Sequence, residues 1–259
     1  MLLEVKDLNI SLTSGKSVAE HISFQLAQGE MLSIVGSSGA GKTTICKAIM
    51  GLLGNAYRAD GEILFQGEDL LDLPERKRQT IYGKEICLIM QNPMTAFNPS
   101  IRVGRQLEKT YLLHRGKTPR QEMQRLFAAI LQKLGLEDTQ RILNSYPFTL
   151  SGGMLQRLMI AAALMCQPAL LVADEATTAI DACNRIGLMR ELKSFCKDGM
   201  SVLFVTHDLR SASVSDRILV MDRGQIVEQD TTERILNAPK EDYTKYLLNA
   251  CRLERREMS

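Results

Sequence analysis

The chain contains 259 residues, 45% of them hydrophobic and 24% charged, and its formal net charge is only +2. This composition is that of an ordinary globular protein with enough apolar residues for a sizeable core. The small charge excess argues against a general nucleic-acid binder, which usually concentrates basic residues on one face. The longest uninterrupted apolar stretch, Leu158–Cys166, is well short of the ~20 residues that cross a bilayer. Other chains are therefore expected to supply any membrane-spanning part.

Six cysteines are scattered along the chain, and no two have the Cys-x-x-Cys spacing of a metal or redox motif. Several lie within or beside apolar runs, as small buried hydrophobic residues do. We therefore expect a reduced, cytosolic chain without a disulfide framework or a metal site.

Short apolar runs recur along the chain, and almost all of them lack polar residues. Such runs are typical of strands buried on both faces of a parallel sheet. The predicted core strands are Met31–Val35, Ile86–Met90, Leu170–Ala173, Val202–Val205 and Ile218–Met221. Helical spacing of apolar residues predicts helices at Thr43–Leu53, Gln121–Leu134, Met154–Cys166 and Cys183–Phe195. This alternation predicts an α/β fold with a mostly parallel sheet that is covered on both faces.

Both ends of the chain have a different pattern. Antiparallel strands are predicted at Leu2–Leu12, at Glu62–Phe65, and at Ile218–Met221 with Gln225–Glu228 across a turn at 222–224. The segment from about 92 to 167 is predicted to be a mostly helical insertion between two core strands. We expect one domain over 1–259, with core and β parts at about 1–91 and 168–259 and a helical subdomain at about 92–167.

A glycine-rich segment follows the first predicted core strand and matches the phosphate-loop pattern Gly-x-x-x-x-Gly-Lys-Ser/Thr. Glycines let such a loop wrap so that its N–H groups face phosphate oxygens, and the N-terminus of the next helix adds partial positive charge. Lys42 is predicted to contact the β- and γ-phosphates, and the Thr43 hydroxyl to bind Mg²⁺. The residues predicted to bind nucleotide here are Gly36, Ser37, Ser38, Gly39, Ala40, Gly41, Lys42, Thr43 and Thr44.

Two carboxylates, Asp174 and Glu175, end the predicted strand that begins at Leu170. Open α/β sheets bind ligands at this edge, where Asp174 can hold Mg²⁺ and Glu175 can orient or deprotonate an attacking water. Alone, such a pair can equally cap the next helix. The phosphate loop earlier in the chain favours the catalytic interpretation.

His207 and Gln91 each follow a predicted core strand. At the same sheet edge, His207 would lie near the γ-phosphate as a hydrogen-bonding sensor. Gln91 would ligate Mg²⁺ or the attacking water. A purely structural role is the alternative for both residues.

A second anion site is predicted at the segment Leu-Ser-Gly-Gly-Met-Leu-Gln-Arg, residues 150–157. Ser151 is suited to start a helix, and the N–H groups of Gly152 and Gly153 would face an anion. One chain thus carries two half-sites for phosphate, and two chains facing head to tail would complete each other's sites. With the phosphate loop and the Asp174–Glu175 strand, this segment resembles the signature of ABC ATPases.

The resemblance to ABC ATPases covers nearly the whole chain and implies an ATP hydrolase that uses ATP and Mg²⁺. By this resemblance, Lys42 and Thr43 belong to the Walker A loop, and Asp174 and Glu175 end the Walker B strand. The remaining implied site residues are Gln91 in the Q-loop, Ser151, Gly152, Gly153 and Gln156 in the signature, Asp181 in the D-loop and the switch histidine His207.

Three further stretches resemble the ATPase subunits of peptide and nickel importers: 91–99, 146–149 and 243–248. This branch implies a second ATPase subunit, identical or homologous, permease subunits, an extracytoplasmic binding protein and a peripheral position on the cytoplasmic face of the membrane. The cargo would be nickel, another metal chelate or peptides, and no nucleic acid is expected as a partner. The alternatives are a soluble ABC ATPase that acts on ribosomes or DNA, and the ATPase of an exporter with a separate membrane subunit.

The chain departs from the ABC pattern at two positions. The family usually stacks adenine on an aromatic residue near the end of the first strand, where this chain has Leu12. It also usually has proline after the catalytic glutamate, where this chain has Ala176, and proline would favour an extended Glu175. We therefore expect a weaker hold on the base and a less constrained Glu175.

Overall fold

A computed structural model describes residues 1–175 and 182–257. The strands in this part of the chain are β1 (Leu3–Leu12), β2 (Ser17–Leu26), β3 (Met31–Gly36), β4 (Tyr57–Phe65), β5 (Glu68–Asp69), β6 (Ile86–Ile89), β7 (Leu170–Asp174), β8 (Ser201–Thr206), β9 (Arg217–Asp222) and β10 (Gln225–Thr231). The α-helices are α1 (Lys42–Ile49), α2 (Glu75–Ile81), α3 (Val103–Arg115), α4 (Arg120–Lys133), α5 (Thr139–Asn144), α6 (Gly152–Met165), α7 (Ala182–Cys196), α8 (Leu209–Ala212), α9 (Thr232–Asn237) and α10 (Asp242–Glu257).

The central sheet has the strand order β10-β9-β3-β8-β7-β6. Its neighbours pair in parallel, except that β10 is antiparallel to β9. Every residue of β3 and β8 is buried, which explains why these strands show no polar alternation. The predicted parallel core is confirmed. The prediction that β9 is an antiparallel addition is wrong in part, because β9 joins the core in parallel beside β3.

A second, antiparallel sheet has the order β2-β1-β4-β5. The predictions for β1 and β4 are confirmed, whereas β2 was not predicted. The pairing of β1 with β2 shifts register repeatedly, and Asp7 and His21 adopt positive φ angles of 44° and 52°. Such irregularities break the alternation of apolar and polar residues by which a strand is recognised.

Both faces of the central sheet are covered, as predicted. On one face, residues such as Leu32 and Ile34 pack with α1 and the antiparallel sheet. On the other face, Leu171 and Phe204 pack with α4, α6 and α7. A smaller cluster joins Val35, at the end of β3, to α8, α9 and α10. Strand β3 therefore contributes residues to all three clusters.

Residues 92–167 contain only helical elements: α3 to α6 and two short 3-10 helices, Pro93–Thr95 and Pro147–Thr149. Arg115 ties the end of α3 to the end of α6, because its Nε donates to the Cys166 carbonyl at 2.7 Å. Arg157 ties α6 to the end of α4 through the Leu134 carbonyl.

Among the described helices, none combines the length and the apolar character that a membrane span requires. Cys46, Cys87, Cys166 and Cys196 are buried, as predicted from their apolar surroundings.

Candidate functional site

The phosphate loop connects β3 to α1 in a tight wrap that two glycines make feasible. A Cβ atom on Gly36 would lie 2.2 Å from the Met221 carbonyl oxygen of β9, which no side chain can accommodate. Gly41, which precedes α1, has a φ of 95° and faces the Val18 carbonyl closely. The loop therefore requires glycine for close packing at its first position and for left-handed geometry at its last.

Lys42 lies on the concave side of this loop, with its side chain almost fully buried. Its Nζ donates to the carbonyl oxygens of Gly36 at 2.9 Å and Ser37 at 2.8 Å. Burial lowers the pKa of Lys42, while the nearby carboxylates of Glu175 and Asp174 act in the opposite direction. The ammonium is thus held in place by loop carbonyls and faces two acidic groups.

A cavity of about 270 Å³ opens beside Lys42. Its walls are Val18, Ser38, Gly39, Gly41, Lys42, Thr43, Thr44 and Glu175. The sequence predicted six of these residues as the phosphate loop and Glu175 as the catalytic base. Val18 was missed because it belongs to β2, which the sequence pattern does not reveal.

Asp174 ends β7 within reach of the phosphate loop. The Thr43 hydroxyl donates to its carboxylate, Oγ1 to Oδ1, at 3.1 Å. Burial raises the pKa of Asp174, while the Thr43 hydrogen bond and the charge of Lys42 lower it. A hydroxyl and a carboxylate that face each other are hard oxygen donors, so this pair fits Mg²⁺.

Glu175 is bound by the two other residues that the sequence predicts to be catalytic. Gln91 Nε2 donates to Glu175 Oε2 at 2.6 Å, and His207 Nδ1 lies 3.2 Å from Glu175 Oε1. Gln91 follows β6, Glu175 follows β7 and His207 follows β8, so that neighbouring parallel strands bring the three together. The Glu175 backbone has a φ of 49°, which is uncommon for a residue other than glycine, and its N–H donates to the Val205 carbonyl. The fold therefore fixes both the backbone and the carboxylate of Glu175.

The signature segment starts α6. The Ser151 hydroxyl accepts from the Met154 N–H at 3.3 Å, as an N-cap does, and Gly152 and Gly153 form the first turn. None of these residues lines the cavity beside Lys42. The signature segment is thus separate from the cavity beside Lys42, and its nucleotide-binding role stays a prediction.

Among the described residues, one other predicted site residue, Gln156, does not reach this surface. Gln156 is fully buried on the inner side of α6, and neither of its amide atoms has a hydrogen-bond partner among the described residues. Its side chain is therefore not open to solvent in this conformation, and its nucleotide-binding role stays a prediction. Asp181 and Ala176 lie outside the described residues.

Comparison with known proteins decides the family. The model of the ABC transporter family matches residues 19–178, more than half of the chain. The chain belongs to the ABC transporter family. It is an ATP-binding and ATP-hydrolysing subunit of that family, with a cassette fold.

Curated ABC relatives match the chain over nearly its full length. The metal-staphylopine import system ATP-binding protein CntD of Staphylococcus aureus is 40% identical over 251 residues, which cover 96% of this chain and 92% of the relative. The oligopeptide transport ATP-binding protein OppD of Bacillus subtilis is 42% identical over 254 residues, which cover 95% of this chain and 71% of the relative.

A solved ABC cassette has the same fold. It is a dimeric post-hydrolysis state of an ATP-binding cassette bound to ADP and Pi, 26% identical to this chain, with a TM-score of 0.78. The similarity covers 89% of this chain and 98% of that one.

Tyr243 is a contact of the ABC phosphate loop that sequence reasoning missed. The Ser37 N–H donates to the Tyr243 hydroxyl at 3.1 Å. The start of α10 is fixed by Glu228, whose carboxylate accepts the N–H groups of Lys240 and Glu241. The sequence marked the stretch around Tyr243 only by its resemblance to importer subunits, and no local pattern indicates a partner 206 residues away.

The region where ABC cassettes usually hold the base contains no ring at its expected position. Leu12 ends β1 and is half-buried, and its antiparallel partner Tyr57 packs against the core beneath the sheet. No aromatic side chain is among the residues that line the cavity beside Lys42. Base recognition by a single subunit is therefore expected to be weak.

We expect GTP to compete appreciably with ATP for the isolated subunit, and Leu12→Tyr to tighten ATP binding. An aromatic stack contributes about 0.5–1.5 kcal/mol beyond its buried area, so the affinity should rise by roughly two- to ten-fold. Calorimetry with ATP and GTP measures both effects. Leu52→Tyr, which adds a ring at an exposed leucine outside the cavity, should change neither. If the wild-type monomer bound ATP much more tightly than GTP, the interpretation that no aromatic ring of the same subunit stacks on the base would be wrong.

Proposed function

We propose that this chain is the ATP-hydrolysing motor of an ABC importer for metal chelates, nickel or peptides. The observation that carries the proposal is the binding of Glu175 by Gln91 and His207 at the cavity beside Lys42. This arrangement supplies a positioned carboxylate next to a phosphate-binding loop, as hydrolysis of a terminal phosphate requires. The name of the relative CntD, which belongs to an import system, favours import over export, and the names of both CntD and OppD favour transport over a soluble role.

In the proposed reaction, loop N–H groups and Lys42 hold the β- and γ-phosphates. Thr43 and Asp174 would hold Mg²⁺, which would neutralise charge on the phosphate oxygens. Glu175 accepts a proton from, or orients, the attacking water, and it is kept in position by Gln91. His207 lies on the other carboxylate oxygen, where it can also donate to the γ-phosphate.

The second half-site is proposed to act in trans. Ser151 and the N–H groups of Gly152 and Gly153 would bind the γ-phosphate of ATP held by an opposing subunit. Two such subunits in head-to-tail orientation would each complete the other's site. Support comes from the dimeric cassette bound to ADP and Pi, which has the same fold.

The permease is proposed to dock beside Gln91. Met90 and Met94, on either side of Gln91 in the chain, expose 50% and 61% of their surface. Methionine suits an adaptable protein interface. Contact here would link movement of the permease to Glu175 through Gln91. It would also place the chain on the cytoplasmic face of the membrane, in a system with an extracytoplasmic binding protein.

The proposal is tested by two measurements in cells. Deletion of the gene should abolish ATP-dependent uptake of either a labelled metal chelate or a labelled peptide, and restoring the gene should recover it. Met94→Glu should stop co-purification with the permease and reduce uptake at least ten-fold, because burying an unpaired carboxylate in an interface is costly. ATP binding by the isolated subunit should not change. Leu52→Glu, a charge at another exposed apolar site outside the cavity, is the matched control. Unchanged uptake of both cargo classes after deletion would contradict the proposal.

A further inference from the structure

An exposed pair of stacked aromatic rings lies directly before the signature segment. Phe148 exposes 68% of its surface, and its ring stacks on that of Tyr146 with centroids 5.6 Å apart and an interplanar angle of 14°. The guanidinium of Arg102 lies 5.9 Å from the centre of the Tyr146 ring. Tyr146 is half-buried and holds the exposed Phe148 ring from one side. We call the Tyr146–Phe148 pair the aromatic platform.

The platform lies close to the predicted trans phosphate site. Phe148 belongs to the 3-10 helix Pro147–Thr149 and lies three positions before Ser151, the N-cap of α6. Three residues span at most about 10 Å, a reach similar to that of an extended triphosphate and ribose. A nucleotide whose γ-phosphate contacts Ser151 can therefore bring its base near Phe148.

The nucleotide-binding face of the same chain lacks what this platform offers. Leu12 stands where a base-stacking ring is expected, and the described residues lining the cavity beside Lys42 include no aromatic side chain. An adenine held by one subunit thus has phosphate contacts but no ring beneath it. The face of the base can be covered by a ring from the other subunit.

We propose that Phe148 stacks on the adenine of the ATP bound by the phosphate loop of the opposing subunit. The inference rests on the proposed head-to-tail dimer. Stacking on a planar base is favourable, and an exposed ring with its partner already in place loses little conformational freedom when it binds. The base is then sensed only when two subunits close on ATP, not when one subunit binds it.

The chain contains no tryptophan, so a single Phe148→Trp substitution provides a fluorescence reporter. In a Glu175→Gln background, ATP with Mg²⁺ should quench this tryptophan in step with the appearance of dimer in light scattering. ADP should change neither the tryptophan fluorescence nor the light scattering. Leu113→Trp places the reporter on α3 at a position that is 73% exposed, and its fluorescence should not respond.

A second set of variants tests the energetic contribution. In the same background, Phe148→Ala should raise the ATP concentration for half-maximal dimer formation by about ten-fold. Phe148→Tyr should restore wild-type behaviour, and Leu113→Ala should have no effect. The affinity of the monomer for ATP, measured at dilute protein, should be the same in all four proteins.

Three results would overturn the inference. Dimers that form without a tryptophan response, or equally well with Phe148→Ala, would remove Phe148 from the base site and leave the head-to-tail dimer standing. Quenching in monomeric protein would place the base against Phe148 of its own subunit. Absence of dimers, both alone and with the sister subunit of the same transport system, would remove the dimer itself.

Discussion

Glu175→Gln should reduce ATP hydrolysis by about 10²- to 10⁴-fold, the range expected when a general base is removed. Glutamine keeps the size of the side chain and an oxygen that can accept from Gln91, but it has no basicity. Binding of ATP should survive, because Lys42 and the loop N–H groups are unaffected. The closed dimer should then accumulate instead of reopening. Phosphate release and light scattering, each with ATP and Mg²⁺, measure the two effects.

Ser151→Arg separates closure from binding. A bulky cation at the start of α6 should prevent the second half-site from receiving the γ-phosphate, so this variant should stay monomeric while binding ATP normally.

The matched control for Glu175→Gln is Glu122→Gln, which also removes a carboxylate. Glu122 is an exposed residue in the first turn of α4, and its substitution should change neither hydrolysis nor dimer formation. Hydrolysis by Glu175→Gln at the wild-type rate would remove Glu175 from its catalytic role. If that variant stayed monomeric with every sister subunit tested, the sandwich mechanism would be wrong.

Lys42→Ala should abolish tight ATP binding. Lys42 is the cation that the phosphate loop presents to the β- and γ-phosphates, and loss of one partner from a desolvated charge pair costs about 2–5 kcal/mol. The dissociation constant should therefore rise by roughly 30- to 5,000-fold. Calorimetry measures this change directly.

Lys47→Ala is the matched control for Lys42→Ala, because Lys47 lies on the same helix and is exposed. It should bind ATP as the wild type does. Circular dichroism and thermal unfolding are needed for both variants, since Lys42 also donates to two loop carbonyls. Unchanged affinity in a folded Lys42→Ala protein would refute the phosphate-loop assignment.

Local sequence patterns predicted most of the site because neighbouring parallel strands end at one edge of the sheet. Once Gln91, Glu175 and His207 were each assigned to a strand end, the strand order β8-β7-β6 was enough to bring them together. Gln156 shows the limit of such reasoning. Its position within the signature did not reveal that the turn of α6 directs its side chain into the core.

The features that were missed depend on irregular or distant structure. Strand β2 escaped prediction because its register shifts interrupt the apolar alternation around His21. Helix α3 has few buried residues, Val103, Leu107 and Tyr111, within a largely polar segment. The contact between Tyr243 and Ser37 joins residues far apart in the chain, and α10 reaches the phosphate loop because it packs in the same cluster as α8 and Val35 of β3.

The hydrogen bond from Ser37 to Tyr243 has a practical consequence for experiments on this protein. A purification tag or fluorescent label fused after α10 adds bulk to a helix whose first turn touches the phosphate loop. Such a fusion is expected to alter the measured nucleotide affinity even when it is far from the nucleotide. Met1 is 73% exposed and lies at the start of the antiparallel sheet, so the N-terminus is the better point of attachment.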